Sequence, residues 1–189
     1  RGAGYRNVTF RRGDIMRLED PDESFDHVFV CFVLEHLVDS MGALAELKRI
    51  LKRGGTITVI EGDHGSAFFY PDSLKGREAI QCLVDLQAAD GGDSLIGRRL
   101  YPVLTGAGFE DVSVSPRTVY VDASRPDLAQ AYTLNTFTAM VEGVRVRAIE
   151  AGLADEAGFE AGIRDLERTA GEDGVFCYTF FKGTAKRGP

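Results

Sequence analysis

Short apolar runs alternate along the chain with longer stretches of helical periodicity. The runs at residues 8–13, 25–33 and 56–61 are rich in β-branched and aromatic residues, and they predict strands. The run 25–33 is almost continuously apolar, which is typical of a strand covered on both faces. Asp39-Ser40 offers a helix N-cap, and from there to Gly54 the apolar residues recur at helical spacing. This alternation predicts an α/β fold built on a largely parallel sheet.

The second half of the chain continues the pattern and ends on an aromatic strand. Pro126 is suited to the first turn of a helix, which we expect to run to about Gly152. We predict helices around 79–86, 95–104 and 159–170, and strands at 112–121 and 175–181. The chain contains no internal repeat, and we treat residues 1–189 as a single domain.

Composition and charge exclude several classes of partner. The 189 residues are 44% hydrophobic and 27% charged, with a formal net charge of −7, so the sequence predicts neither a nucleic-acid nor a membrane partner. Three widely separated cysteines, Cys31, Cys82 and Cys177, predict neither a disulfide framework nor a zinc site. No apolar run is long enough to span a membrane, and no signal peptide opens the chain. We therefore expect a cytoplasmic protein.

Four motifs in a fixed order carry a family resemblance. They are G-D-I at 13–15, S-F-D-H-V at 24–28, V-L-E-H-L at 33–37 and L-K-R-G-G-T at 51–56. Together they closely resemble the class I S-adenosylmethionine-dependent methyltransferases, in particular the small-molecule branch called type 11. The resemblance implies a Rossmann-like sheet with helices on both faces, S-adenosyl-L-methionine as the cofactor, and methyl transfer to an O, N or C nucleophile of a small molecule.

The same resemblance implies the residues that bind the cofactor. Asp14 would hydrogen-bond the adenine amino group, and the backbone amide of Ile15 would meet the ring. Cys31 and Phe32 would pass close to the methionine part, mainly through backbone atoms. His36 would pack under the cofactor, or accept a proton from the substrate. The alternatives are that Asp14 only forms a turn and that Cys31 and Phe32 are core residues.

The loop after the third predicted strand is the candidate for substrate chemistry. Asp63 and His64 stand between two glycines at the carboxyl end of the strand 56–61, where catalytic residues of such sheets are expected. The alternative is an ordinary solvated loop. We predict no metal site, because adjacent residues of a strand point to opposite faces. The segments 67–92 and 125–170 are expected to cover the substrate.

The sequence departs from the family at its start. The family's glycine-rich turn and the acidic residue that binds the ribose have no counterpart, because the glycines at 2–4 lie too close to the next strand. We therefore expect the C-terminal portion of a methyltransferase domain that lacks its first two βα units, and that is inactive if those units are absent. A non-catalytic binding or scaffolding module is the alternative, and a nicotinamide-dependent oxidoreductase is disfavoured.

The resembled fold also predicts where the strands lie. The last strand, at 175–181, should run antiparallel between the strands at 56–61 and 112–121. The strand at 8–13 corresponds to the family's third, and residues 1–13 should be the least secure part of the sheet.

Overall fold

A computed structural model describes residues 7–189 and contains one five-stranded sheet. Its strands are β1 (Phe25–Cys31), β2 (Leu51–Gly62), β3 (Phe68–Tyr70), β4 (Glu110–Asp122) and β5 (Val175–Lys186). The helices are α1 (Ser40–Ile50), α2 (Leu74–Ala89), α3 (Leu100–Gly106), α4 (Pro126–Leu128), α5 (Ala139–Glu142), α6 (Arg145–Glu150) and α7 (Glu156–Arg168). A π-helix, Ala129–Thr138, joins α4 to α5, and 3₁₀ turns lie at Leu34–His36, His64–Ser66 and Ile96–Arg99.

The last strand, β5, lies in the middle of the sheet and runs antiparallel to its neighbours. β1 pairs with β2 in parallel, and β5 pairs antiparallel with β2 along one edge and with β4 along the other. β2 and β4 therefore run in the same direction as β1. The short β3 pairs with the start of β5. The predicted antiparallel strand between 56–61 and 112–121 is thus confirmed.

Helices cover both faces of this sheet at β2 and β5, as the resemblance implies. One face packs α1 and α3 against Ile57, Val59 and Ala185. The other packs α2, α7 and the π-helix against Phe176 and Tyr178. Because side chains alternate along β5, one strand supplies both cores. β1 is an edge strand of the described sheet, and Phe25 and Phe29 on it are exposed, so the expectation that 25–33 is covered on both faces is wrong. Among residues 7–189, no helix combines the length and the apolar character that crossing a lipid bilayer requires.

Local sequence signals account for most element boundaries. Asp39 caps α1 as predicted, since its side chain accepts a hydrogen bond of 2.7 Å from the Gly42 amide. The following strand begins at Leu51, five residues before the predicted Thr56, and Gly54 allows the irregularity with a φ of 72°.

Two predicted elements are wrong. Residues 8–13 form no strand, and within the described chain Val8 and Phe10 are exposed with no neighbouring strand to pair with. Strand propensity alone does not stabilise a strand that lacks a partner. The helix predicted from Pro126 to Gly152 is broken into α4, the π-helix, α5 and α6, with an interruption before Arg145. The part of the predicted least secure segment that comprises residues 1–6 lies outside the described residues.

Candidate active site

A mostly apolar cavity of about 280 Å³ opens at the carboxyl ends of β1 and β2. Open α/β sheets bind their ligands at this end of parallel strands. The cavity is lined by residues from four places: the turn after β1, the end of β2 with the turn that follows it, the helical segment 129–140, and β5. They are Phe32, Glu35, Gly62, His64, Tyr132, Thr136, Phe137, Met140, Tyr178 and Phe180.

Glu61 fixes the turn that follows β1. Its side chain is fully buried, and Oε1 accepts hydrogen bonds from the amides of Val33, at 3.1 Å, and Leu34, at 2.9 Å. Burial raises the pKa of Glu61, while these amide donors oppose the rise. The chain enters the turn through Phe32, whose φ of 53° is in the left-handed region that non-glycine residues rarely adopt. Glu61, at the end of β2, therefore fixes the backbone of the turn that follows β1 and borders the cavity.

Glu35 brings a second buried carboxyl group to the cavity wall. Its backbone oxygen accepts from the amide of Asp93 and from Nε2 of Gln87, both at 2.8 Å. Its Oε1 lies 3.4 Å from Nε2 of His36, whereas Oε2 is buried and has no hydrogen-bond partner in the described chain. Burial, and then the charge of Asp93, raise the pKa of Glu35 to about 7.

His64 follows Gly62 by two residues in the sequence, and its side chain is also buried. Its Nδ1 is 2.7 Å from the hydroxyl of Tyr178, and its ring meets the Phe137 ring edge-on at 6.2 Å. Burial lowers the pKa of His64 to about 4, so the imidazole is neutral at pH 7. Burial also raises the pKa of Tyr178, so its hydroxyl stays protonated.

Asp63 is buried next to His64 but is not among the residues that line the cavity. Both of its carboxylate oxygens accept from Arg98, one from Nε and one from Nη2, each at 2.7 Å. Such a bidentate pair fixes orientation as well as charge. Arg98 therefore satisfies both carboxylate oxygens of Asp63, and this ion pair anchors the loop that presents His64.

Aromatic rings form one continuous wall of the cavity. Phe180 contacts Phe32, with ring centroids 5.2 Å apart, and Tyr132, at 6.1 Å. Phe137 and Tyr178 continue the wall at 5.4 Å from each other. Tyr132 and Phe137 come from the π-helix, a type of element that is often found at functional sites.

The residues predicted to contact the adenine lie away from this wall. Asp14 is exposed in a turn, where its Oδ1 accepts from the amide of Met16 at 2.9 Å. Ile15 is partly buried against the core beneath α1. One carboxylate oxygen of Asp14 therefore stabilises a turn, which is the role that the alternative interpretation gives it. Neither Asp14 nor Ile15 is among the residues that line the cavity.

The structure separates the other three predicted cofactor residues. Phe32 lines the cavity, and its amide donates to Ile60 at 2.9 Å. Cys31 ends β1 opposite Ile60, and burial raises the pKa of its thiol. His36 is exposed, with Nδ1 3.4 Å from Nε2 of Gln87.

Sequence reasoning missed several residues that build the cavity. Tyr178 and Phe180 come from the last strand, and Tyr132, Phe137 and Met140 come from the segment that was expected only to cover the substrate. No described residue of 67–92 lines the cavity. An aromatic run in a strand indicates a core, and nothing local distinguishes a core ring from a ring that lines a cavity.

Comparisons with known proteins agree with the fold. Residues 1–59 match the family model described as "Methyltransferase domain". An uncharacterized methyltransferase of Schizosaccharomyces pombe is 48% identical over 65 residues, which are 34% of this chain and 23% of that protein. A demethylmenaquinone methyltransferase of Geobacillus stearothermophilus is 29% identical over 135 residues, which are 65% of this chain and 58% of that protein. The chain thus spans less than two thirds of the length of these relatives.

A solved structure extends the likeness over nearly the whole chain. A SAM-dependent methyltransferase from Thermotoga maritima aligns with a TM-score of 0.51 and 18% sequence identity, covering 95% of this chain and 64% of that one. At this identity the match supports the fold alone. The family model thus confirms the predicted resemblance to the class I S-adenosylmethionine-dependent methyltransferases over the first third of the chain, and the solved structure confirms the predicted fold.

Proposed function

We propose that the protein transfers a methyl group from S-adenosyl-L-methionine to an O, N or C nucleophile of a small molecule. The observation that carries the proposal is the position of the cavity, at the carboxyl ends of β1 and β2, with Phe32, Glu35 and His64 on its wall. The match of residues 1–59 to the methyltransferase family supports the cofactor. The cavity would hold the methyl acceptor.

The residues at the rim fit the methionine end of the cofactor. When bound, the cofactor supplies a methyl group that is already activated on a cationic sulfur. The ring of Phe32 is 40% exposed and offers an aromatic face, which attracts a cation. Phe32 lines the cavity and has a left-handed φ of 53°, and we propose that its backbone and that of Cys31 meet the methionine part of the cofactor there. Asp14 and Ile15 remain the proposed contacts to the adenine, and His36 the proposed packing residue.

Because the electrophile is strong, the chain's own residues act mainly by holding the acceptor in line. We assign His64 to this task. If its Nδ1–H donates to the Tyr178 hydroxyl, the lone pair of Nε2 is free to accept a hydrogen bond from an O–H or N–H group of the acceptor. Asp63, held by Arg98, keeps the His64 loop in place as a positioning residue.

The segment 125–170 supports the proposed covering of the acceptor, because Tyr132, Thr136, Phe137 and Met140 contribute to the cavity. For 67–92 the support is indirect, through packing of Phe69 on Phe176 in β5. The three cysteines are free thiols, which favours a reducing compartment such as the cytoplasm.

The test is binding followed by turnover in the natural full-length protein. Calorimetry should detect binding of S-adenosylhomocysteine, and transfer of a labelled methyl group should then be screened against small amines, phenols and carbon acids. His64→Gln should reduce turnover while leaving the cofactor affinity within about twofold, because His64 faces the acceptor. Cofactor binding without turnover of any acceptor would favour the non-catalytic module, and absence of cofactor binding would contradict the proposal.

A further inference from the structure

A buried carboxyl oxygen at the cavity lacks a partner. Glu35 is 5% exposed, it lines the cavity, and its Oε2 has no hydrogen-bond partner in residues 7–189. Leaving a buried polar atom unsatisfied costs free energy, and native proteins rarely do so without a functional reason. A ligand that donates to this oxygen would remove the cost.

The other walls favour a positively charged ligand with an apolar body. The rings of Phe32, Tyr132 and Phe180 are in mutual contact, and aromatic faces attract cations. No lysine or arginine is among the described residues that line the cavity, and His64 is neutral at pH 7. An anionic ligand would be repelled by Glu35 and by its neighbours Glu61 and Asp93. A neutral ligand could donate an O–H or N–H hydrogen bond to the carboxylate, but it would gain neither the stronger, charge-assisted bond nor the rings' attraction for cations.

We propose that the acceptor bound in this cavity is a small amine, held in its ammonium form between the Glu35 carboxylate and the aromatic wall. The inference rests on the proposed function for the statement that the ligand is the methyl acceptor. An ammonium nitrogen has no lone pair, so one N–H proton must leave before it can be methylated. The Glu35 carboxylate, which accepts the N–H hydrogen bond, takes that proton and becomes a neutral carboxylic acid, and the amine regains its lone pair.

The experiment compares two probes of nearly equal shape. Calorimetry on the natural full-length protein at pH 8 would measure the affinity for benzylamine, a cation at this pH, and for benzyl alcohol, which is neutral. We expect benzylamine to bind at least about tenfold more tightly, the ratio that one charge-assisted hydrogen bond supplies. Glu35→Gln should remove this preference, and Tyr132→Leu should weaken benzylamine binding more than benzyl alcohol binding.

Glu78→Gln is the matched control, since it removes an exposed carboxyl group from α2, outside the cavity. It should leave both affinities unchanged, and circular dichroism would establish that each variant is folded. The inference is overturned if the preference survives in a folded Glu35→Gln protein, if wild type binds benzyl alcohol as tightly as benzylamine, or if neither probe binds.

A second comparison separates this inference from the proposed function. S-adenosylmethionine and S-adenosylhomocysteine differ by the charge on sulfur, so the ratio of their affinities reports which groups contact the sulfonium. We expect Glu35→Gln to leave this ratio unchanged. If it changes the ratio but not the amine preference, Glu35 serves the cofactor and the amine inference is wrong while the proposed function stands. If the protein binds neither form of the cofactor, the proposed function fails instead.

Discussion

Nδ1 of His64 lies 2.7 Å from the hydroxyl oxygen of Tyr178, a residue 114 positions later in the sequence. The contact joins the turn after β2 to the first half of β5, and both side chains are buried. Burial keeps the imidazole neutral and the phenol protonated. The pair is therefore a neutral hydrogen bond that orients the ring at the cavity wall.

Tyr178→Phe should reveal the value of this hydrogen bond. The substitution leaves Nδ1 of a buried imidazole unpaired, which should lower the free energy of unfolding by about 1–3 kcal/mol. Turnover should fall as well, because the ring loses its fixed orientation, while cofactor affinity is kept. Urea denaturation and methyl-transfer kinetics would measure the two effects. Tyr120→Phe, at an exposed position of β4, is the control and should change neither.

Two titrating groups at the cavity should make opposite contributions to stability as the pH changes. The pKa of His64 falls from 6.5 to about 4 on folding, so between these values the unfolded chain binds a proton that the folded chain does not. Its contribution to stability therefore rises with pH. The pKa of Glu35 rises from 4.5 to about 7, so in that range the folded chain holds the extra proton and stability falls with pH.

The two contributions should largely cancel between about pH 4.5 and 6.5, each amounting to roughly 3 kcal/mol over its whole range. Single variants remove the cancellation. Relative to wild type, Glu35→Gln should become more stable with rising pH, and His64→Gln less stable. Because Glu61, Asp93 and His36 remain in every protein, the differences between urea-unfolding curves at several pH values isolate the two groups. Parallel curves for all three proteins would contradict the prediction.

Substitutions of Asp63 and His64 should distinguish two roles, since Asp63 anchors the loop and His64 is proposed to contact the acceptor. His64→Ala should reduce methyl transfer far more than cofactor affinity, because the ring is on the cavity wall. Asp63→Ala should also reduce methyl transfer, but through the loop, and Arg98→Ala should reproduce much of its effect. Arg98→Ala leaves the buried Asp63 carboxylate without a partner and should lower the free energy of unfolding by about 3 kcal/mol. Asp63→Ala should cost less, because it leaves unpaired only Arg98, which is half exposed to water. If both alanine variants at 63 and 64 keep full turnover, the loop has no role in the reaction.

Asp14→Ala should weaken cofactor binding by about 1–3 kcal/mol if the carboxylate meets the adenine amino group. The alanine also removes the acceptor for the Met16 amide, so it loosens the turn itself. Asp14→Asn retains an oxygen that can accept from both donors and should bind within about threefold of wild type. Calorimetry with S-adenosylhomocysteine would measure all three proteins. Unchanged affinity in Asp14→Ala would assign the adenine contact to another residue.

The parts of the fold that local sequence encodes were predictable. The apolar run at 25–33 and the Asp39 cap each depend on a few neighbouring residues, and they correctly predict the strand β1 and the start of α1. The apolar character of 25–33 did not predict its burial, because β1 is at the edge of the described sheet and Phe29 is exposed. The position of β5 in the sheet was predicted from the family resemblance, because no local pattern indicates which strands it pairs with. Residues 8–13 have the composition of a strand, yet a strand needs a partner, and composition does not supply one.

The candidate site was predictable only in outline. The sequence placed the V-L-E-H-L motif, which contains Glu35, and the loop of His64 after successive parallel strands, which brings them to one edge of the sheet. It did not reveal that Tyr178 pairs with His64 or that Glu61 holds the turn after β1, since these contacts join residues 114 and 27 positions apart. The π-helix that supplies Tyr132 and Phe137 was also missed, because its i to i+5 hydrogen bonds leave no distinct spacing in the sequence.

Gly62→Ala tests whether the cavity depends on close packing at the end of β2. A Cβ added at Gly62 would overlap the hydroxyl of Tyr178 and come within 3.7 Å of Oε2 of Glu35. Tyr178 must then move, which breaks its contact with His64 and should lower the free energy of unfolding by about 1–3 kcal/mol. Turnover should fall with it. Gly106→Ala is the matched control, because its added Cβ would meet only the end of the Met41 side chain, at 3.6 Å, and alanine favours the helix. Urea denaturation should find the control at least as stable as wild type, and a Gly62→Ala protein of unchanged stability would mean that Tyr178 is not held where the structure places it.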